Sequence, residues 1–352
     1  MIDVSANAPD PSDAPATAGD AEAVPRLAVT IVAWKGADLT IDCLRSVEPE
    51  VRDLGNCHVY VVDNASPDDS ADRVERAIKD NLWSDWVTFI RSPHNGGFAA
   101  GNNIAIRLEL VAKPTPKYIL LLNPDTVVRR GSFRLLMNFM ERNPHVGIGG
   151  GRSEDPDTTP QVCCFRFPNI LGEVASYLRL GVVDRLLKRH LVIFDIPREP
   201  CAVDWIAGAF MMIRKEVFDD VGLMDEGYFL YYEETDFLLR AQRAGWPCWH
   251  VPEARIVHLV GQSSGVTKRT GKPARMPAYW FESRRRYFVL NHGRLYAACT
   301  DVLVLLSLAT KPIRDLLQGR RESRPPQFFR DFLKHSAMFK GRRTLKPRVT
   351  AP

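Results

Sequence analysis

Apolar residues fall along this chain in short runs of strand length, separated by stretches in which they recur every three or four positions. The runs are Leu27 to Trp34 (LAVTIVAW), Cys57 to Asp63 (CHVYVVD), Trp86 to Arg91 (WVTFIR) and Tyr118 to Asp125 (YILLLNPD). Between them Leu39, Cys43 and Val47, then Val74 and Ile78, keep helical spacing. Near-continuous apolar strands alternating with amphipathic helices predict an α/β fold on a mostly parallel sheet. Farther on, SFRLLMNFMERN predicts a helix within residues 126 to 150, broken at Pro144 and followed by the strand-like HVGIGGG. Residues 151 to 203 carry several prolines and one amphipathic piece, ILGEVASYLRLG. Val203 to Ile213 (VDWIAGAFMMI) reads as a single strand in which Gly208 marks a close neighbour. Phe237, Leu238 and Ala241 then predict a helix starting near Glu233, and RIVHLV is strand-like again.

The polar residues that end these runs supply the candidate chemistry. Ligand groups in open α/β sheets gather at the carboxyl ends of the strands, where this chain has Asp63 and the tripeptide Asn123-Pro124-Asp125. An acid at Asp63 suits a nucleotide's ribose or base, and it equally suits an Asx turn or a helix cap. Asp125 beside an amide carbonyl suits a hard divalent cation on a diphosphate; alone, the tripeptide is better read as a strand ending in a turn. Gly96, Gly97 and Gly101 allow close backbone approach to a ligand, with Asn102 and Asn103 opening the next helix, where amide groups favour phosphate. This is not the dinucleotide fingerprint, whose glycines follow the first strand; here that place holds Trp34-Lys35-Gly36. Glu233, Glu234 and Asp236 crowd a first helical turn after Tyr228, Phe229, Tyr231 and Tyr232, a walled carboxylate cluster suited to general-base work. His258 ends the last strand-like run, and a metal role for it rests on the need of Asp125 for further ligands.

Composition narrows the picture. The 352 residues and 45% hydrophobic content suffice for one large domain or two ordinary ones. Residues 1–25, rich in Ala, Pro, Asp and Ser, predict a disordered tail with no secretory signal. Seven cysteines, Cys163 and Cys164 adjacent and no C-x-x-C pair, argue against a disulfide framework and against zinc or redox work, and favour a reducing, cytoplasmic location. From Ser264 onward 20 Lys and Arg face 5 Asp and Glu, a local charge of +15, against −10 for the rest. Clusters such as Arg284, Arg285 and Arg286 suit nucleic-acid phosphate or an anionic membrane, and the apolar Tyr296 to Thr310 run favours peripheral membrane contact. A core helix with a solvated basic face is the plain alternative.

With these residues assembled, the chain resembles the inverting nucleotide-sugar glycosyltransferases of family 2, with their GT-A fold. The resemblance rests on six segments in the family's order: IVAW, VVDNASPDDS, NGGFAAGNN, LLLNPD, GAFMMIRKEVFDDVGLMDEGYFLYYEETDFLLRAQRAG and HLVGQSS. The form with Asn-Pro-Asp looks most like bacterial rhamnosyltransferases that build cell-surface polysaccharides. It implies a tail over 1–25, a GT-A domain over 26–264 and a basic, amphipathic helical region over 265–352. It implies a nucleotide-sugar site drawn from Ala33, Trp34, Asp63, Asn64, Gly97, Asn102, Asn123, Asp125 and Gly208. Asp63 takes the base and ribose, and Asp125 and His258 take Mg2+ or Mn2+ on the diphosphate. The base falls at Glu234, where the family has Asp, with Glu233 and Asp236 as alternatives. Lys35 stands where the family commonly has Asn, and Asn123 replaces the first acid of its Asp-x-Asp motif. The donor implied is dTDP-L-rhamnose, with UDP-sugars such as UDP-galactofuranose as the alternative. The acceptor implied is a glycan or a polyprenyl-linked saccharide at the inner membrane face, with no nucleic-acid partner. The competing readings are a sugar-nucleotide pyrophosphorylase, whose Gly-rich Arg-bearing loop KGADLT does not supply, and a non-catalytic scaffold.

Overall fold

The structure, a computed structural model, describes residues 26–259, 273–319, 324–340, 345 and 348. The tail over 1–25, and the end of the HLVGQSS segment with the expected boundary at 264, lie outside the described residues. The alternation read from the hydrophobic pattern is present: β1 (Leu27–Ala33), α1 (Ala37–Leu54), β2 (Cys57–Asp63), α2 (Ser70–Asp80), β3 (Val87–Arg91), α3 (Gly97–Val111) and β4 (Tyr118–Leu122). β1 and β4, the inner strands of this group, are apolar and buried along nearly their whole length because both faces are covered, whereas β3 is only partly buried. Leu27, Val29, Ile31, Leu120 and Leu122 join a core under α1, α2 and α4 (Ser132–Arg142), while Ala28, Ile119 and Leu121 join a second core on the opposite face.

The remaining strands are β5 (Thr126–Val128), β6 (Ile148–Glu154), β7 (Cys164–Phe165), β8 (Cys201–Val203), β9 (Trp205–Ile206), β10 (Phe210–Arg214) and β11 (Cys248–His258). The main sheet runs β3-β2-β1-β4-β10-β6-β11-β5, with β8 on β11. It is parallel from β3 through β4; β10 runs against both β4 and β6, and β11 again parallels β6. The single strand expected over Val203–Ile213 is instead three. The chain leaves the main sheet at Asp204 to pair β9 with β7, and returns as β10. Periodicity could not show this, because VDWIAGAFMMI is apolar on both sides of the break. The N-terminus of α4 is closed by a residue distant in sequence: Glu50 accepts from the backbone N–H groups of Gly131 (2.5 Å) and Phe133 (2.9 Å).

The excursion over 151–203 folds into α5 (Ile170–Leu178) and α6 (Gly181–Leu186); α7 (Lys215–Val221) and α8 (Glu233–Arg243) complete the second core with Val217, Phe218, Phe237 and Leu238. Among the described residues the C-terminal region contributes α9 (Ala278–His292), α10 (Arg294–Ala309), α11 (Lys311–Gln318) and α12 (Phe328–His335). Its arginine cluster is not a surface patch. Arg284, Arg285 and Arg286 are all buried in α9. Arg286 forks onto Asp225 (2.7 and 2.9 Å), and Arg284 spans Glu173 (2.7 Å) and Asp301 (2.6 Å). The charge of Arg284 and Arg286, expected to neutralise nucleic-acid or membrane phosphate, is therefore spent inside the protein, while Arg285 is buried with its Nε and Nη1 unpartnered. α10 divides: Ala297, Val304, Leu305 and Leu308 are buried, whereas Leu295, Val302, Leu303 and Leu306 are exposed.

Candidate active site

Parallel pairing in register brings the strand ends to one mouth: Ala33 lies beside Asp63, and Ile31 beside Leu122, just before Asn123. Asp63 is buried and accepts from the Ser66 backbone N–H (3.0 Å), the Asx turn that was the plain reading of its position. Ser66 in turn accepts from the Lys35 N–H (2.7 Å), and the Lys35 ammonium sits 4.6 Å over the half-exposed Trp34 ring. Asn64 clamps this edge to the glycine loop, donating to Asn95 Oδ1 (3.1 Å) and the Gly97 carbonyl (3.0 Å) and accepting from Gly96 N–H (3.3 Å).

The glycine loop itself makes its close approach to protein. Gly97 has φ +85°, and a Cβ there would lie 1.9 Å from the Phe229 carbonyl oxygen. That carbonyl accepts from the Phe98 N–H (3.0 Å), so the glycine docks the 225–232 loop against α3. Asn102, expected to offer its amide to phosphate, lies inside α3, is buried and donates to the Phe98 carbonyl (2.9 Å). Gly208 sits in the turn between β9 and β10, where a Cβ would meet the Phe98 ring at 2.9 Å.

The docked loop delivers α8. Tyr231 and Tyr232 both hold positive φ (70° and 69°) immediately before Glu233. Two adjacent bulky residues in that region cost of order ~1–3 kcal/mol each, and such strain concentrates where geometry serves a ligand. Glu233 is buried, and desolvation followed by the Glu234 charge drives its carboxyl well above the ordinary range. Burial also raises Glu234, to about 7. Neither Glu233 Oε2 nor Glu234 Oε2 has a hydrogen-bond partner. Two neighbouring acids so displaced separate in role: one stays neutral while the other exchanges its proton near neutral pH. Glu234 lines a cavity of about 550 Å³ with Trp205, Tyr231, Tyr232 and Trp280. Asp236 is arranged otherwise. It is fully buried, accepting from Arg240 Nε (3.0 Å), Asn291 Nδ2 (2.7 Å), an Arg348 guanidinium nitrogen (2.7 Å) and the Tyr228 hydroxyl (3.3 Å). It has no free oxygen for an acceptor hydroxyl and serves as a structural anchor rather than an alternative base.

β5 was not foreseen, and it completes the other half of the mouth. It pairs antiparallel with β11 so that Thr126 lies beside His258. The Leu259 N–H bonds the Asp125 carbonyl (2.9 Å), and His258 Nε2 lies 3.4 Å from both Asp125 Oδ1 and Asn123 Nδ2. Asp125 is buried, and its Oδ1 has no hydrogen-bond partner. An orphaned carboxylate oxygen beside an imidazole is a fitting donor set for Mg2+ or Mn2+. Trp205 and Trp280, brought to the cavity by β9 and by α9, carry no local sequence signal; only the pairing of β9 with β7 and the return of α9 onto the domain place them there.

Comparison with known proteins agrees with this architecture. The family described as Glycosyltransferase like family 2 matches residues 25–286. The chain is 28% identical over 163 residues to the N-acetylglucosaminyl-diphospho-decaprenol L-rhamnosyltransferase of Mycobacterium tuberculosis, covering 42% of this chain and 48% of that protein. It is 28% identical over 165 residues to rhamnosyltransferase WbbL of Escherichia coli, covering 46% and 60%. It is 27% identical over 254 residues to the dTDP-rhamnosyl transferase RfbF of Shigella flexneri, covering 72% and 75%. The match thus spans about half the length of the mycobacterial relative. Among solved structures, GalNAc-T7 with UDP, GalNAc and Mn2+ superposes with a TM-score of 0.55 at 15% identity, over 93% of this chain and 59% of that one. The mannosyltransferase PcManGT of Pyrobaculum calidifontis with GDP-Man and Mn2+ gives 0.52 at 15% identity, over 90% and 80%. Both likenesses show the GT-A fold.

Proposed function

The chain belongs to glycosyltransferase family 2, and from that premise we propose that it transfers L-rhamnose from dTDP-L-rhamnose to a hydroxyl of a lipid-linked or cell-surface glycan, inverting the anomeric centre. The observation that carries the reading is a pair of buried carboxylate oxygens without hydrogen-bond partners, Oε2 of Glu234, whose carboxyl is raised to about 7, and Oδ1 of Asp125 beside His258. Glu234 takes the proton of the acceptor hydroxyl as its oxygen attacks the anomeric carbon from the face opposite the diphosphate. The cavity's aromatic wall of Trp205, Tyr231, Tyr232 and Trp280 orients the acceptor ring and excludes water. Asp125 and His258, with the Asn123 amide alongside, are the residues that would hold Mg2+ or Mn2+; bound there, the cation supplies positive charge for the leaving diphosphate. Asp63, Asn64, Ala33 and Trp34 form the edge of the mouth offered to the nucleotide. The donor and the polyprenyl character of the acceptor rest on the relatives' names, with a UDP-sugar such as UDP-galactofuranose as the alternative donor.

We place the chain at the inner face of the membrane through α10 rather than through the buried arginines. Its exposed Leu295, Val302, Leu303 and Leu306 can lie in an interface while its other face stays in the core. Among the described residues no helix is long and apolar enough to cross a membrane. The decisive experiment is a thermal-shift panel of dTDP-L-rhamnose, UDP-galactofuranose and other nucleotide sugars with and without Mn2+, followed by transfer to a polyprenyl-diphosphate saccharide. A metal-dependent rise with dTDP-L-rhamnose is expected, since a ligand that binds only the folded state raises Tm. A rise confined to a UDP-sugar removes the donor assignment, and no rise with any nucleotide sugar removes the reading.

A further inference from the structure

Away from the sheet mouth, the segment leading into β7 meets β11 in a cluster that the proposed transfer reaction does not use. Cys163, Cys164 and His250 are all buried, and one donor atom from each, two thiol sulfurs and a ring nitrogen, lie within 4.8 Å of one another. His250 is fully buried, yet neither of its ring nitrogens has a hydrogen-bond partner. A neutral imidazole always has one N–H to give and one lone pair to fill, and buried side-chain polar groups are almost always satisfied. A Phe or Leu would pack the same volume without that penalty. Strand pairing fixes the arrangement: His250 lies between Gly150 of β6 and Cys201 of β8, and the Cys163 thiol points to the Gly151 carbonyl at 3.6 Å.

We propose that Cys163, Cys164 and His250 form a buried structural site for a thiophilic divalent cation, and zinc, which takes thiolate and imidazole and has no redox chemistry, is the ion assigned to it. Binding releases two thiol protons, and two thiolates with one dication leave no net charge in a place that water does not reach. Copper(I), the other cation that prefers sulfur and imidazole, would leave the same site with one negative charge. Because every donor is buried, the ion is held away from bulk water, and its role is to tie β7 to β11. That tie also steadies the acceptor-side wall: β7 pairs with β9, and Phe165 stacks on Trp205 with ring centroids 4.2 Å apart.

The test is metal analysis of the full chain, produced in zinc-supplemented cells and purified without chelating resin. One zinc per chain is expected to survive dialysis against EDTA and to be released when the thiols are titrated with a mercurial. Cobalt(II) exchanged into the protein is expected to show a thiolate-to-metal charge-transfer band. Cys163→Ser and His250→Phe are expected to lose the zinc, whereas Asp125→Ala retains it. Should either core variant fail to fold, the wild-type zinc content and cobalt spectrum still decide. Substoichiometric zinc with no thiolate band, stoichiometric copper instead of zinc, or zinc that disappears with Asp125→Ala would each overturn the proposal. None of these readouts depends on sugar transfer, so this site and the proposed activity stand or fall separately.

Discussion

Two regions of this molecule take carboxylates out of water and treat them in opposite ways. In the helical layer every buried carboxylate is answered: Asp225 by Arg286, Asp301 by Arg284 and the Ala337 N–H (2.6 Å), Glu173 by Arg284, and Asp236 by four donors. At the sheet mouth Asp125, and at the start of α8 Glu233 and Glu234, each keep an oxygen without a partner. Burying a polar group unpaired is costly, so a fold keeps such groups where a ligand will complete them. The difference separates residues that hold the protein together from those proposed to meet substrate or metal. It also explains why three acids in one helical turn divide: Asp236 points back into the ion-pair layer, and Glu234 into the cavity.

The sharpest way to break this comparison is Glu234→Gln, for which transfer should fall ~10²–10⁴-fold, the usual worth of a general base. Wild-type rate should rise with pH through about 7, where Glu234 gives up its proton, and the variant should lack that limb. The stability sign is opposite. A raised folded-state pKa means the folded protein holds the proton more tightly, so this stabilisation is full below the ordinary carboxyl value of 4.5 and is lost as pH rises through about 7. At pH 8 the variant should melt no lower than wild type; a large fall in Tm would make Glu234 structural. Next in size, Arg286→Met should cost ~3–5 kcal/mol in urea unfolding, because it strands the fully buried Asp225. Asp125→Ala should lower transfer ~10²–10³-fold, the range for losing one fixed electrostatic contact, and abolish the Mn2+-dependent thermal shift while leaving the metal-free Tm intact. Smallest, Leu306→Asp should weaken flotation with anionic vesicles roughly tenfold, since a Leu side chain withdrawn from water contributes ~1.5–3 kcal/mol. Its folding stability should stay within about 0.5 kcal/mol of wild type. Flotation unchanged by the variant would remove α10 from the membrane contact.

Much of the architecture was legible in the order of residues. The runs ending in Asp63 and Asn123-Pro124-Asp125 are parallel strands whose ends share one mouth, and the helix expected near Glu233 begins there. Six segments in family order matched a fold that the solved structures share. The misreadings have a common character. Gly97 was read as room for a ligand, and it is room for the Phe229 carbonyl. Arg284, Arg285 and Arg286 were read as surface charge, and they are buried. Spacing along the chain says nothing of a third contact of this kind: Cys163 and Cys164 have no C-x-x-C partner in sequence and meet a histidine from another strand.

By itself, then, the order of residues determined the alternation of strands and helices from β1 to β4, where the acids stand on it, and to which family the chain belongs, because hydrophobic periodicity and strand ends are local properties. Only the tertiary structure decided which charges are answered and which are left waiting. The partner of a buried charge comes from a distant segment, and an acid in the first turn of α8 is tied down, as Asp236 is, or left open, as Glu234 Oε2 is, according to what the fold sets opposite it.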